Sequence, residues 1–284
     1  MSITVLFWTS SSAVRANDKL RIIVSIIPQK YFVEKIGGDL VDVSAMVLPG
    51  ASPATYGPKP QQMVGLTKAR IYFAVGVPFE KVWLKKFVNV NPAMTVVHTE
   101  DGIEKISMEG QDSHDEKTHH HGIKDPHIWL SPPLVMIQSR NIFYALTTVD
   151  PEHKEVYTEN YKSFIREVVD IDLQIRDVFS GEGDGARFMV YHPAWGYFAK
   201  AYGLKQIPVE IEGKEPTARE LEHLVHSAGR EGVKAIFVQP QLSSKSAHTI
   251  AKAIGCRVMF ANPLAENWSE NLLNVAASFQ SVQK

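Results

Sequence analysis

Pro151-Glu-His-Lys-Glu-Val-Tyr-Thr-Glu-Asn-Tyr-Lys-Ser-Phe-Ile-Arg-Glu-Val-Val-Asp-Ile-Asp-Leu-Gln-Ile-Arg-Asp-Val-Phe179 is the stretch on which the fold turns. Val156, Tyr161, Phe164, Ile165, Val168, Ile171 and Ile175 recur at spacings that gather them into one apolar stripe on a helix. Pro151 suits a first helical turn, with Asp150 before it as the cap. The glycine-rich run Ser180-Gly-Glu-Gly-Asp-Gly185 ends it. At 1.5 Å per residue such a helix is about 40 Å long, enough to tie two domains together like a strut.

On either side, β-rich apolar runs alternate with helical patterns. Before the long helix, Leu20 to Ile26, Val41 to Val47, Ile71 to Val75 and Thr95 to His98 read as strands. Helices are expected near Gln29 to Ile36, Pro60 to Lys68, Phe79 to Phe87 and Pro133 to Thr148. After it, Arg187 to Tyr191, Gln206 to Ile211, Ala235 to Gln239 and Arg257 to Ala261 read as strands. Gly196 to Tyr202, Ala218 to Arg230, Ser246 to Ile254 and Ser269 to Gln280 read as helices. Alternating strands and helices favour a parallel sheet covered by helices. The expected architecture is α/β: two lobes, each with a parallel, mostly four-stranded sheet flanked by helices, joined by one long helix. The boundaries are 17–149 for the first lobe, 150–180 for the linking helix and 181–284 for the second lobe.

Composition narrows the function. Hydrophobic residues make up 44% of 284, which supports a packed core rather than disorder. Lys plus Arg is 30 against 31 for Asp plus Glu, so the strongly basic face of a nucleic-acid binder is not expected. No apolar run reaches the roughly 18 residues of a membrane span. Ile3 to Trp8 followed by small residues up to Ala16 resembles the end of a secretory signal, so 1–16 is read as a signal peptide and the mature chain as starting near Asn17. A frayed tail of a cytosolic protein is the other reading. Cys256 is the single cysteine, expected as a buried structural thiol. No cysteine follows the leader to take a lipid, so a freely diffusing periplasmic protein is expected.

Eleven histidines carry the chemistry unevenly. His98, His153, His223, His226 and His248 sit singly in strand or helix patterns and read as ordinary surface or packed residues. His127 follows Asp125-Pro126 at a loop-to-helix junction, where Asp125 could orient the imidazole and fix which nitrogen faces a metal. His192 ends a strand, and ligands of open α/β sheets gather at the carboxyl ends of strands. Neutral imidazole is a favoured zinc ligand. The polar loop 101–124 carries Asp112-Ser-His114 and Lys117-Thr-His119-His120-His121, a tract whose composition binds divalent ions.

Four stretches together carry a resemblance: Leu48-Pro-Gly-Ala-Ser-Pro53 followed by Tyr56 and Pro58; Asp125-Pro-His-Ile-Trp-Leu; Tyr191-His-Pro-Ala-Trp-Gly-Tyr-Phe; and Asn262-Pro-Leu-Ala. With these, the chain resembles the zinc/manganese solute-binding proteins of ABC importers over essentially all residues after Asn17. Its acidic, histidine-rich loop and long linking helix resemble the zinc-specific branch. The resemblance implies two α/β lobes with a metal held between them by up to four side chains. His127 and His192 match the second and third ligands. The first ligand position is occupied here by Ala54, the fourth by Asn262, and a frequent glutamate by Gly57. A closed zinc site usually has four ligands. The expectation is therefore a site on His127 and His192, either weaker than a four-ligand relative or completed. The completing donor could be a loop histidine (His114, His119, His120 or His121), an acid such as Glu210, Glu212 or Glu215, or water.

The implied function is capture of zinc, with manganese second, and delivery to a membrane permease by a monomer that is no enzyme. A zinc hydrolase would need an open, water-activating position. No His-Glu-x-x-His, Gly-x-Ser-x-Gly or phosphate-cradling glycine loop accompanies these histidines. A relative with a degenerate site, acting as a metal chaperone or adhesin or binding another ligand, is the remaining reading, because of Ala54 and Asn262.

Overall fold

A computed structural model describes residues 19–108, 124–181, 185–210, 216–241 and 244–282. The leader 1–16, the loop histidines His114, His119, His120 and His121, and Glu212 and Glu215 lie outside the described residues.

Strands β1 (Leu20–Val24), β2 (Val41–Ala45), β3 (Ile71–Ala74) and β4 (Thr95–His98) form one sheet in the order β2-β1-β3-β4. Strands β5 (Arg187–Val190), β6 (Lys205–Pro208), β7 (Ala235–Val238) and β8 (Arg257–Phe260) form a second in the order β6-β5-β7-β8. Every pairing is parallel. In each sheet the chain moves outward first to one side and then to the other. The direction reverses between β1 and β3 and again between β5 and β7, and at such points loops part to leave a crevice beyond the carboxyl ends. The two four-stranded sheets bear out the expected architecture.

Both faces of a parallel sheet are covered by helices, so its central strands are apolar throughout. In the second sheet Phe188, Val190, Ala235 and Phe237 face one way, into a core with Phe279. Met189, Ile236 and Val238 face the other way, into a smaller core with Ala228, Ala247 and Ile250. Helices α1 (Ile27–Gly37), α2 (Pro60–Leu66), α3 (Pro78–Val90) and α4 (Pro132–Val149) belong with the first sheet. Helices α6 (Gly196–Ala201), α7 (Ala218–Arg230), α8 (Ser244–Ile254) and α9 (Trp268–Ser281) follow the second.

Between them runs α5 (Lys154–Phe179). Its buried stripe is Tyr157, Phe164, Val168, Ile171, Ile175 and Phe179. Tyr157 takes the inward place expected of Val156, which is 47% exposed. The reason lies one turn upstream. Asp150 makes no side-chain cap. Its carboxylate instead accepts from Tyr157 Oη at 2.6 Å and His153 Nδ1 at 2.8 Å. That pulls Tyr157 inward and makes Pro151–His153 a 3-10 turn ahead of the α-helix. Cys256 is half-buried rather than fully enclosed.

Along α5 the main core passes from one lobe to the other without a break. Phe164 packs on Phe32 of α1 with ring centres 5.9 Å apart, and Phe32 meets Trp268 of α9 at 5.1 Å. Polar bonds repeat the connection. Tyr31 Oη donates to Glu167 of α5 and lies 2.9 Å from Ser269 Oγ of α9, while Lys35 reaches Glu167 at 2.7 Å. Among the described residues no helix is long and apolar enough to cross a membrane.

Candidate metal-binding cleft

The carboxyl ends of both sheets face a common cleft of about 250 Å³. The first lobe contributes Ser52, Pro53 and Ala54 after β2, and Val77 and Pro78 after β3. The second contributes His192 after β5, Gln239 after β7, and Pro263 and Leu264 after β8. His127 and Trp129, from the segment before α4, line the base.

His127 is held by its own short loop. His127 has φ of -77° and ψ of 39°, Ile128 N donates back to Pro126 O at 2.8 Å, and the 3-10 turn Ile128–Leu130 follows directly. One oxygen of Asp125 accepts both the main-chain N–H of His127, at 2.9 Å, and its ring Nδ1–H, at 2.7 Å. Asp125 is 1% exposed, so this carboxylate has exchanged water for these donors. Its close approach depends on a residue of another motif: a Cβ on Gly196 would stand 3.0 Å from Asp125 Oδ2. Next to it Tyr197 Oη donates to Asp125 O at 2.9 Å and accepts from Ile106 N at 3.1 Å.

His192 is held from a neighbouring strand. Val190 on β5 stands beside Pro208 on β6, so two residues further along each chain His192 meets Glu210. Its Nδ1 lies 2.6 Å from Glu210 Oε2. Glu210, one of the acids that could have completed the site, has its Oε2 turned to the back of the His192 ring.

Both rings thus spend Nδ1 on a carboxylate and keep Nε2 for another partner. A carboxylate behind the ring fixes its tautomer and strengthens it as a ligand. Burial pushes the His127 imidazole below its ordinary value; the Asp125 charge opposes this, and His192 adds to it. The neutral form is the one that binds metal. The two rings stand with centres 5.3 Å apart and planes 77° from parallel. Zinc–nitrogen bonds of about 2.0–2.1 Å at a tetrahedral angle would place two imidazole centres roughly 5.2 Å apart.

Ala54 lines the cleft with a methyl group and no donor. Asn262 sits just behind the wall. Its Oδ1 accepts from Leu264 N at 3.0 Å and Gln241 Nε2 at 2.8 Å, which commits the amide oxygen to shaping the Pro263–Leu264 turn. Among the described residues no three His, Cys, Asp or Glu side chains gather around one point. His223 and His226 are exposed on α7, and His98 and His153 pair with Glu100 and Asp150, away from the cleft.

Sequence reasoning quoted Trp129 and Gly196 within its motifs without giving either a role, and passed over Gln239. Trp129 Nε1 donates to Pro263 O at 2.6 Å, and Trp268 Nε1 donates to Trp129 O at 2.7 Å. These bonds tie the Asp-Pro-His-Ile-Trp stretch to the Asn-Pro-Leu-Ala stretch across the lobes. Gln239 had one available signal, a position just after β7 in a sheet whose carboxyl end carries ligands.

Two parallel-sheet lobes facing one another across a pair of carboxylate-backed imidazoles define a cleft-type metal-binding protein. The family model described as zinc-uptake complex component A, periplasmic, matches residues 22–282. The chain is 31% identical to the high-affinity zinc uptake system protein ZnuA of Bacillus subtilis over 267 residues, 90% of this chain and 82% of the relative. It is 25% identical to the manganese ABC transporter substrate-binding lipoprotein PsaA of Streptococcus pneumoniae, over 85% of this chain and 79% of the relative. A crystal structure of ZnuA superposes with a TM-score of 0.87 at 39% identity, covering 94% of this chain and all of that one. The chain belongs to the zinc-uptake component A family, the solute-binding proteins of metal ABC importers.

Proposed function

We propose that this chain captures zinc through Nε2 of His127 and Nε2 of His192, and carries it to the membrane permease of an importer. The observation that supports this most directly is the ring pair. Its 5.3 Å separation suits one tetrahedral ion, and each ring is oriented from behind by a carboxylate, Asp125 or Glu210. Zinc is favoured over manganese because imidazole suits zinc, whereas manganese prefers oxygen donors. The tract around His119, His120 and His121 is assigned the role of a collector that raises the local ion concentration and can lend a donor. Asn262 is assigned to the turn it braces, with at most a weak neutral oxygen toward the ion. The protein works as an exported monomer; a pocket built to hold and release an ion needs no bond-making step.

Calorimetric titration of metal-stripped protein with zinc tests the assignment. One site per chain is expected, with His127→Ala and His192→Ala each weakening it at least a hundredfold. A single tight site that survives the double variant would sink the proposal and move the zinc to the histidine tract.

A further inference from the structure

We infer that the face of the first lobe formed by α2 and α3 rests on an anionic lipid bilayer and holds the protein at the membrane surface. The inference goes beyond the zinc assignment and does not depend on it, since neither His127 nor His192 belongs to this face.

Charge is the first observation. Between Val43 and Thr99 the sequence carries the cations Lys59, Lys68, Arg70, Lys81, Lys85 and Lys86, and a single acid, Glu80. The whole chain has a net charge of -1, so its other residues are together acidic. Glu80 is buried, with its two carboxylate oxygens turned to Val75 N and Gly76 N. All six cations are exposed. Asp42 of β2 shares a groove with Arg21 and Lys68 and leaves that end net positive. Among the described residues the ion pairs of lysine and arginine fall on α1, α5 and β5, and none on α2 or α3. The charge on this face is therefore left for an outside partner.

Carbon is the second observation. Val64 on α2 and Val82 on α3 are 64% and 59% exposed, and Val88 and Val90 are exposed beside them. Single exposed apolar residues need no explanation, but a cluster marks an interaction surface. A spacing of four on one helix sets Lys81 beside Lys85 and Val82 beside Lys86. Lys86 Nζ stands 4.1 Å from the centre of the half-buried Trp83 ring. Asn91 Nδ2 donates to Leu66 O at 2.8 Å and Ala69 O at 2.9 Å, which holds the end of α3 against the end of α2. Helices α1, α4 and α5 pack with one another, and α2 with α3, so these two form a layer of their own.

Lysines interleaved with apolar side chains and an indole make a surface suited to the lipid interface. Lysine is a compact charge on a flexible stem and asks no fixed geometry of its partner. Lipid phosphates offer none. Each cation close to an anionic bilayer strengthens binding about fivefold. Valine is short, so the contact is shallow and reversible. A receptor held in this way searches a surface instead of a volume.

The test is co-sedimentation of the full chain with vesicles of phosphatidylcholine alone and of phosphatidylcholine mixed with phosphatidylglycerol. Binding is expected on the mixed vesicles at low salt and should disappear at high salt. Lys81→Glu combined with Lys85→Glu should weaken it at least tenfold, and Val82→Gln severalfold. The same charge change on exposed sites elsewhere, Lys154→Glu combined with Lys200→Glu, should have far less effect. Circular dichroism should be unchanged throughout. No binding to the mixed vesicles, or an equal loss in the two double variants, overturns the inference. No vesicle binding, together with a defect of the Lys81/Lys85 variant in cells that depend on this chain for zinc, overturns the lipid and gives the face to an acidic protein surface. Zinc titration of the same proteins reports on the cleft separately: loss of the zinc site with vesicle binding intact would overturn the metal assignment and leave this one standing.

Discussion

Asp125 spends one oxygen on two donors of the same residue, so its charge fixes both where His127 sits and which way its ring faces. Asp125→Asn and Glu210→Gln keep the shape but remove the anion behind each ring. Zinc affinity should fall about 10–100-fold in each, the usual cost of losing such a partner, with little change in far-ultraviolet circular dichroism. Equal affinity in both variants would mean the rings need no orienting. At this scale the sequence was legible where a residue's neighbours in the chain carry its role. Asp125 and His127 are two residues apart, and their pairing could be anticipated. His192 and Glu210 are 18 apart, and only the register of β5 against β6 brings them together. Gly196 was opaque for a similar reason: its missing side chain matters only because Asp125 lies against it.

Elements were legible in kind, and less so at their ends. The periodicity of α5 located its stripe but put Val156 where Tyr157 belongs, since apolar spacing carries no notice of the hydroxyl reaching Asp150. Phe164, 1% exposed and shared by both lobes, should be the costly position on that stripe. Phe164→Ala should lose about 3–5 kcal/mol in urea denaturation, while Leu173→Ala, at 54% exposure, should stay within about 0.5 kcal/mol. The turn from β3 into α3 depends on Glu80, whose two oxygens accept Val75 N at 2.9 Å and Gly76 N at 2.8 Å. Gly76 has φ of +84°, a backbone state that glycine reaches without strain. Burial raises the Glu80 carboxyl above its ordinary 4.5, against the pull of those N–H donors. The folded state therefore holds this proton more firmly than the unfolded one. That contribution is complete below pH 4.5 and is lost as the pH rises through the folded value. Compared with Glu80→Gln, the native chain should gain relative stability between pH 7 and pH 4.5 in urea titrations; a constant gap would show that Glu80 titrates normally.

At the scale of the molecule, two lobes could be read from two runs of alternating strands and helices, but their fusion could not. Nothing in the pattern of α9 announces that Trp268 will meet Phe32 and the carbonyl of Trp129. A core that continues through α5 makes the lobes one folding unit. Calorimetric melting of the metal-free protein should show one transition, with van 't Hoff and calorimetric enthalpies in agreement. Two resolved transitions would show that the shared core does not couple the lobes.

The contact between His127 and Trp129, with ring centres 5.1 Å apart, also gives the cleft an optical gauge. Indole emission responds to charge in its immediate surroundings, and a divalent ion on His127 would be the largest charge near this one. Trp129 is 1% exposed, so its light comes from a dry, fixed setting and not from a solvated side chain. Loading and unloading of the ion can therefore be followed by the colour and yield of the protein's own fluorescence, with Trp129→Phe as the blank.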